Sequence, residues 1–213
     1  MCEAQGKNAE LGSRNFSVRK NICDHVKIVC KAFLFLQQTL ELNGGCPHSH
    51  FNWSGGDALR KYIRENNLGE PTREKLSELS IKLRKERGPD FLTRIAFETK
   101  TPRLLISGTR TVAEAESIKK HKGILIAVTA PRALRYERAR ERGRVGDDVS
   151  FEQFSAIEEK EASGKDPSAH NVDGVISMAD YVIENTGTLL ELHAKTDALM
   201  QKLGIQKQSN TRT

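Results

Sequence analysis

Short apolar runs alternate along this chain with longer stretches in which apolar residues return every three or four positions, a succession that predicts strands followed by amphipathic helices. Three runs read as strands: Arg103-Leu104-Leu105-Ile106-Ser107, Ile124 to Thr129, and Tyr181-Val182-Ile183-Glu184. Helices are predicted from Asp57 to Asn66, from Pro71-Thr72 to about Arg87 with a stop at Gly88, and from Asp90 to Thr99 with Pro89 in the first position. Thr111-Val112-Ala113-Glu114 is a capping box, in which hydroxyl and carboxylate each satisfy an orphan amide. Its helix ends in Lys119-Lys120-His121-Lys122-Gly123, with cations at the negative terminus and glycine expected in the left-handed cap. Ser150-Phe151-Glu152-Gln153 and Thr188-Leu189-Leu190-Glu191 open two more helices by the same logic. Gly164 to Val172 reads as loop, and Gly204 ends the last helix.

Strands alternating with helices imply an α/β fold, a three-layer arrangement with a parallel sheet and helices on both faces. In such sheets ligands bind outside the carboxyl ends of the strands. The chain divides near Trp53. Residues 1–52 form an atypical N-terminal segment, in which Val26 to Leu42 fits either a helix or a strand followed by a helix, with a loop from Asn43 to His50. Residues 53–205 form the α/β domain, with a small helical lid near 135–172, and the polar tail 206–213 is expected to be disordered.

Composition narrows the function classes. With 37% hydrophobic and 29% charged residues the chain is that of a soluble globular protein, and no apolar stretch approaches the roughly 20 residues a bilayer span needs. The polar N-terminus does not read as a secretory signal, so a cytoplasmic location is expected. A net charge of +6 favours anionic partners. Nucleic acid is disfavoured because aromatics are only 6% and no basic patch is interleaved with stacking residues. All four cysteines (Cys2, Cys23, Cys30, Cys46) fall in the first quarter. Cys30, Cys46, His48 and His50 lack the paired spacing of a zinc site, so no metal site is assigned. Oligomeric state is not legible.

The junction after the Ile124 strand carries the chemistry. From Arg132 to Arg144 six arginines occur within thirteen residues. Guanidinium groups match phosphate oxygens in planar, bidentate geometry, which points to a phosphorylated small molecule. A solvated helix neutralised by Glu137 and Glu141 is the plain alternative. Arg110 and the arginine helix both follow strand ends, where the sheet places its ligands.

Ser54-Gly55-Gly56-Asp57-Ala58-Leu59-Arg60 is similar to the acceptor-binding stretch Ser-Thr-Gly-Asp-x-Leu-Arg of P-loop nucleotide kinases of the adenylate kinase and dephospho-coenzyme A kinase group. Ser107-Gly108-Thr109-Arg110-Thr111 resembles that group's Asp-Gly-x-x-Arg-x strand end, and Met178 to Thr188 resembles its ending Ala-Asp-Tyr-Val-Ile-x-Asn-x-Gly. The resemblance spans about Trp53 to Leu203. It implies ATP and Mg²⁺ as cofactors and phosphoryl transfer to dephospho-coenzyme A or a nucleoside monophosphate. Asp57, Arg60 and Arg110 would then bind the acceptor. Arg138 and Arg142, one helical turn apart, would be the catalytic lid arginines, and Arg135, Gly187 and Thr188 would contact the nucleotide. Each also admits a structural role: Arg60 and Arg110 as surface residues, Asp57 and Thr188 as helix caps.

One departure is plain. The group's phosphate cradle, G-x-x-x-x-G-K-[ST], occurs nowhere in the 213 residues; Gly6-Lys7-Asn8-Ala9 resembles only the opening of such a loop. The first quarter is then either an altered sequence, such as a shifted reading frame, or part of a degenerate kinase. In the second case the protein is a catalytically inactive kinase fold that acts by binding or regulation.

Overall fold

The structure, a computed structural model, describes residues 27–30, 51–99, 104–144 and 146–205. The assignments for Val26 to Leu42 beyond Lys27–Cys30, for the Asn43 to His50 loop and for the tail 206–213 lie outside these residues, as do Cys2, Cys23, Cys46, His48 and His50.

Five strands form one parallel sheet in the order β2-β3-β1-β4-β5. They are β1 (Lys27–Cys30), β2 (Phe51–Ser54), β3 (Leu104–Ser107), β4 (Ile124–Thr129) and β5 (Tyr181–Glu184). Register is continuous across the sheet: Ile28 stands beside Leu105 and Ile124, Trp53 beside Ile106, and Val128 beside Ile183. Eight helices lie between and after these strands among the described residues: α1 (Gly55–Glu65), α2 (Arg73–Arg87), α3 (Phe91–Phe97), α4 (Val112–Lys120), α5 (Arg132–Arg142), α6 (Phe151–Ala162), α7 (Val172–Ser177) and α8 (Leu189–Lys202).

Neighbouring strand residues point to opposite faces, and the two cores follow from that alternation. Leu104, Ile106 and Leu125 join Trp53, Leu59, Leu83, Leu92, Ala115, Ile118 and Val175 beneath α1–α4 and α7. Leu105, Ile126, Val128 and Ile183 face the other way, onto Leu192, Leu199, Met200 and Leu203 of α8 and its end. Helices therefore cover both faces of a parallel sheet, as the alternation of strands and helices predicted.

Several details differ from expectation. Strand β2 runs through the point at which the chain was expected to divide, and its four residues, Phe-Asn-Trp-Ser, show no clear period. The left-handed residue after α4 is Lys122 (φ 57°), not Gly123; the helix is capped at His121 and the turn closes one residue early. Pro89 precedes the Asp90 cap of α3 instead of occupying its first turn. The stretch expected as loop up to Val172 ends earlier, because Asn171 accepts from the Gly174 amide and caps α7.

Candidate functional site

The chain leaves β1 for β2 on one side of the sheet and leaves β4 for β5 on the other. Its connections thus diverge at the carboxyl edge between β1 and β4, the place where open α/β sheets bind ligands. Four described loops form this rim: Ser54 to Asp57, Ser107 to Arg110, Thr129 to Arg132, and Asn185 to Thr188. The first two touch. A methyl group on Gly108, which has φ 82°, would stand 3.9 Å from the Gly56 amide nitrogen.

Helix α1 starts at the rim because the Ser54 hydroxyl caps it, accepting from the Asp57 amide at 3.2 Å. Asp57 is therefore not the cap. Its carboxylate instead accepts from Arg60 Nη1 at 3.0 Å, with the Asp57 side chain 66% exposed. Such an exposed pair is worth about 1 kcal/mol or less, so Arg60 can leave the carboxylate at small cost.

Arg110 is held far more firmly. Its amide donates to Glu114 Oε2 at 2.8 Å, its carbonyl accepts from the Asn171 amide at 2.7 Å, and its Nη1 donates to Glu161 Oε2 at 2.7 Å. Glu114 completes the capping box read from the sequence and also accepts from Arg84 Nε and Nη2 at 3.1 and 3.0 Å in the buried interior.

The arginines of α5 have different partners. Arg135 pairs with Glu158 and the Ala130 carbonyl. Arg138 donates from Nη1 to the Asn185 carbonyl at 2.8 Å and from Nη2 to the Gly187 carbonyl at 3.1 Å, clamping the loop after β5. Arg142 forks onto Asp147, with Nε and Nη2 each within 3.0 Å of the carboxylate. Thr188 caps α8 in a second box with Glu191. The structure thus links Arg138 with Gly187 and Asp57 with Arg60, while Arg135, Arg142 and Arg110 each engage a separate carboxylate.

Arg144 was not singled out as a site residue from the sequence. Gly143 (φ 60°) ends α5 in the left-handed conformation, so Arg144 lies on the turn beyond the helix, and that glycine was the available signal. Asp147 accepts from the Arg144 amide at 3.2 Å and fixes the turn. Among the described residues the Arg144 guanidinium has no ion-pair partner. Burial, then the charges of Arg142 and Arg60, lower its pKa from the ordinary value, against the opposing pull of Asp57 and Asp147. The same turn rests on α2: a methyl on Gly146 would stand 3.2 Å from the Arg73 amide nitrogen.

A cleft of about 610 Å³ opens at the end of α5 and the turn after it, lined by Tyr136, Arg140, Glu141, Arg144, Asp147 and Asp148 among others. Its acids outnumber its arginines, which does not suit a phosphate. The rim is the better candidate. Among the described residues no group of histidine, cysteine, aspartate and glutamate side chains could by itself hold a metal ion.

No family model matches the chain. A UPF0200 protein of Thermococcus sibiricus is 32% identical over 174 residues, covering 76% of this chain and 85% of the relative. Among solved structures, the shikimate kinase of Acinetobacter baumannii in complex with shikimate covers 87% of this chain and 97% of its own, at 15% identity and a TM-score of 0.49. The dephospho-CoA kinase of Campylobacter jejuni covers 84% and 96%, at 14% identity and a TM-score of 0.40. Scores of that size do not discriminate among α/β folds.

Proposed function

The chain belongs to the UPF0200 family, and for this member of it we propose ATP-dependent phosphoryl transfer to a nucleotide-like acceptor, dephospho-coenzyme A or a nucleoside monophosphate. The observation that carries the reading is geometric: the loops of Gly56 and Gly108 touch at the carboxyl rim, and Arg60 Nη1 lies 3.1 Å from where a methyl on Gly56 would stand. The kinase-like motifs support it, since Arg60 in the first turns of α1, Arg110 after β3 and Asn185 after β5 all follow the carboxyl ends of strands.

In such chemistry an acceptor oxygen bonds to the γ-phosphorus as the bond to the β-phosphate oxygen breaks. Catalysis rests on positioning and charge neutralisation. Arg60 and Arg110 bind the acceptor phosphate. The lid arginines Arg138 and Arg142, with Arg144 beside them, offset charge on the transferring group, a role worth on the order of 10³-fold. Mg²⁺ typically needs one or two carboxylates together with substrate phosphates; at the described rim Asp57 offers one, already paired with Arg60. When bound, the ion would supply charge neutralisation at the phosphates, with Asp57 the described rim carboxylate that could help hold it.

A second reading, a non-catalytic kinase fold that binds the acceptor alone, is favoured by one observation: the sequence lacks G-x-x-x-x-G-K-[ST]. Calorimetric titration with ATP-Mg²⁺, followed by ADP release with each acceptor, separates the two. Binding and turnover are expected. Arg110→Ala should weaken acceptor binding by about tenfold, the loss of one charged hydrogen bond, and Arg138→Ala should lower turnover. Unchanged constants in both variants refute the assigned roles, and no heat with ATP-Mg²⁺ favours the second reading.

A further inference from the structure

Glu161, on α6, is the meeting point of two arginines from distant elements. Its side chain is 6% exposed, and its Oε2 accepts from Arg110 Nη1 at 2.7 Å and from Arg73 Nη2 at 2.9 Å. Its Oε1 faces His170 Nδ1 at 3.7 Å, too far for a hydrogen bond. Arg73 opens α2 and also lies over the Phe154 ring of α6, 5.4 Å from the centroid. The carboxylate therefore joins the second lid helix to both the rim loop after β3 and the start of α2.

A hydrolytic reading of Ser80, His170 and Glu161 does not stand. Ser80 Oγ lies 3.1 Å from His170 Nε2, an order of groups like a nucleophile, base and acid. All three side chains are buried, and Ser80 Oγ is engaged by the Ser77 carbonyl at 2.8 Å and by Arg84 Nη1 at 3.0 Å. No substrate reaches that hydroxyl.

The open end of the network is Arg110. A guanidinium carries five donors, and Glu161 takes one of them. The side chain remains 35% exposed at the rim, and Nε and Nη2 form no hydrogen bond to a described residue. We propose that Glu161 is a positioning residue: from beneath, it holds the Arg110 guanidinium so that its free edge faces the rim and takes the phosphate of a nucleotide-like acceptor. The identity of that ligand rests on the reading given under Proposed function; the holding of Arg110 does not.

Charge and positioning predict opposite signs. A carboxylate near an anion site repels the anion, so charge alone predicts tighter phosphate binding once Glu161 is neutralised. Positioning predicts weaker binding, because a released Arg110 must be ordered again on contact. Titration of the full chain with AMP and with inorganic phosphate should show Glu161→Gln weakening binding by about tenfold or more, with the circular dichroism spectrum retained. Glu161→Asp keeps the charge and shortens the reach, so it should weaken binding as well, and it serves if the glutamine variant does not fold. A second readout needs no ligand: the ¹⁵N resonance of the Arg110 Nε–H, identified by its loss in Arg110→Lys, should be sharp in the parent and broadened in either variant. Unchanged or tighter binding in both variants overturns the proposal, as does an unaltered resonance. Should the parent bind neither AMP nor phosphate, the acceptor reading fails, and the resonance alone decides the role of Glu161.

Discussion

His170 is buried beside two arginines and one carboxylate, and its surroundings disfavour a proton on it. Burial contributes most, Arg110 and Arg84 add to it, and Glu161 opposes, so its pKa falls below the ordinary 6.5. Glu161 is shifted the other way relative to its burial. Burial alone would raise its pKa, but the guanidinium groups of Arg110 and Arg73 outweigh it and hold the carboxyl well below the ordinary 4.5. Both groups bind protons more readily in the unfolded chain, so both lose stability on acidification. The His170 contribution is present above 6.5 and declines as pH falls through that value; the Glu161 contribution declines below 4.5. Urea unfolding should therefore give a free energy that decreases from pH 7 to 5 and again below 4.5. His170→Gln should flatten the first window and spare the second. An equal slope between pH 7 and 5 in parent and variant refutes this account. Little of the network was legible in the chain. Glu114 announced its capping box through Thr111 three residues earlier, yet its pairing with Arg84 spans thirty positions and leaves no local mark. Glu161 gave no signal, since a glutamate in an acidic helix end reads as solvated surface until the fold buries it.

Helix boundaries were the most readable elements, because caps are local chemistry. Ser150, Thr111 and Thr188 each cap where their spacing to Gln153, Glu114 and Glu191 predicted. The ends were less secure: the left-handed turn after α4 fell on Lys122, although the adjacent Gly123 bears less steric cost there. Strand β2 and helix α7 escaped notice for want of length, four and six residues being too few for a period to show. Between α6 and α7 the chain turns so tightly that Gly164 is irreplaceable for reasons of space. A methyl there would meet the His170 carbonyl oxygen at 2.4 Å and the Ala169 Cβ at 2.8 Å. Gly164→Ala should cost about 1–3 kcal/mol through forced backbone movement, measured as a lowered urea midpoint at unchanged slope. At Gly187 the contacts are the carboxylate end of the Glu191 side chain, which can turn away where backbone cannot, so Gly187→Ala should cost less and act mainly by disturbing the α8 cap. Equal losses at the two sites count against this steric argument.

At the scale of the molecule, the arginines read from the sequence as phosphate ligands are largely engaged by the protein's own acids. Arg135, Arg142 and Arg110 hold Glu158, Asp147 and Glu161, so the density of guanidinium groups that pointed to phosphate also ties α5, the turn after it and α6 together. The sequence exposed that density but not its division of labour, which depends on Glu158, Asp147 and Glu161 arriving from elsewhere. Among the described residues no helix is long and apolar enough to cross a membrane.

Strand β1 lies at the centre of the sheet, and this order has a consequence for biosynthesis. A ribosome releases Lys27–Cys30 long before either neighbour exists, for Ile28 must wait for Leu105 on one flank and Ile124 on the other. Closing such distant pairings is entropically slow, and in the interval both edges of the nascent strand stand unpaired and open to rival chains. A truncated chain ending at residue 103 should accordingly remain protease-sensitive, whereas one ending at residue 205 should resist digestion; equal resistance argues against late closure. The first strand made among the described residues stays without a neighbour until residue 104 and open on one edge until residue 124, so a cell producing this protein has reason to shield it during translation.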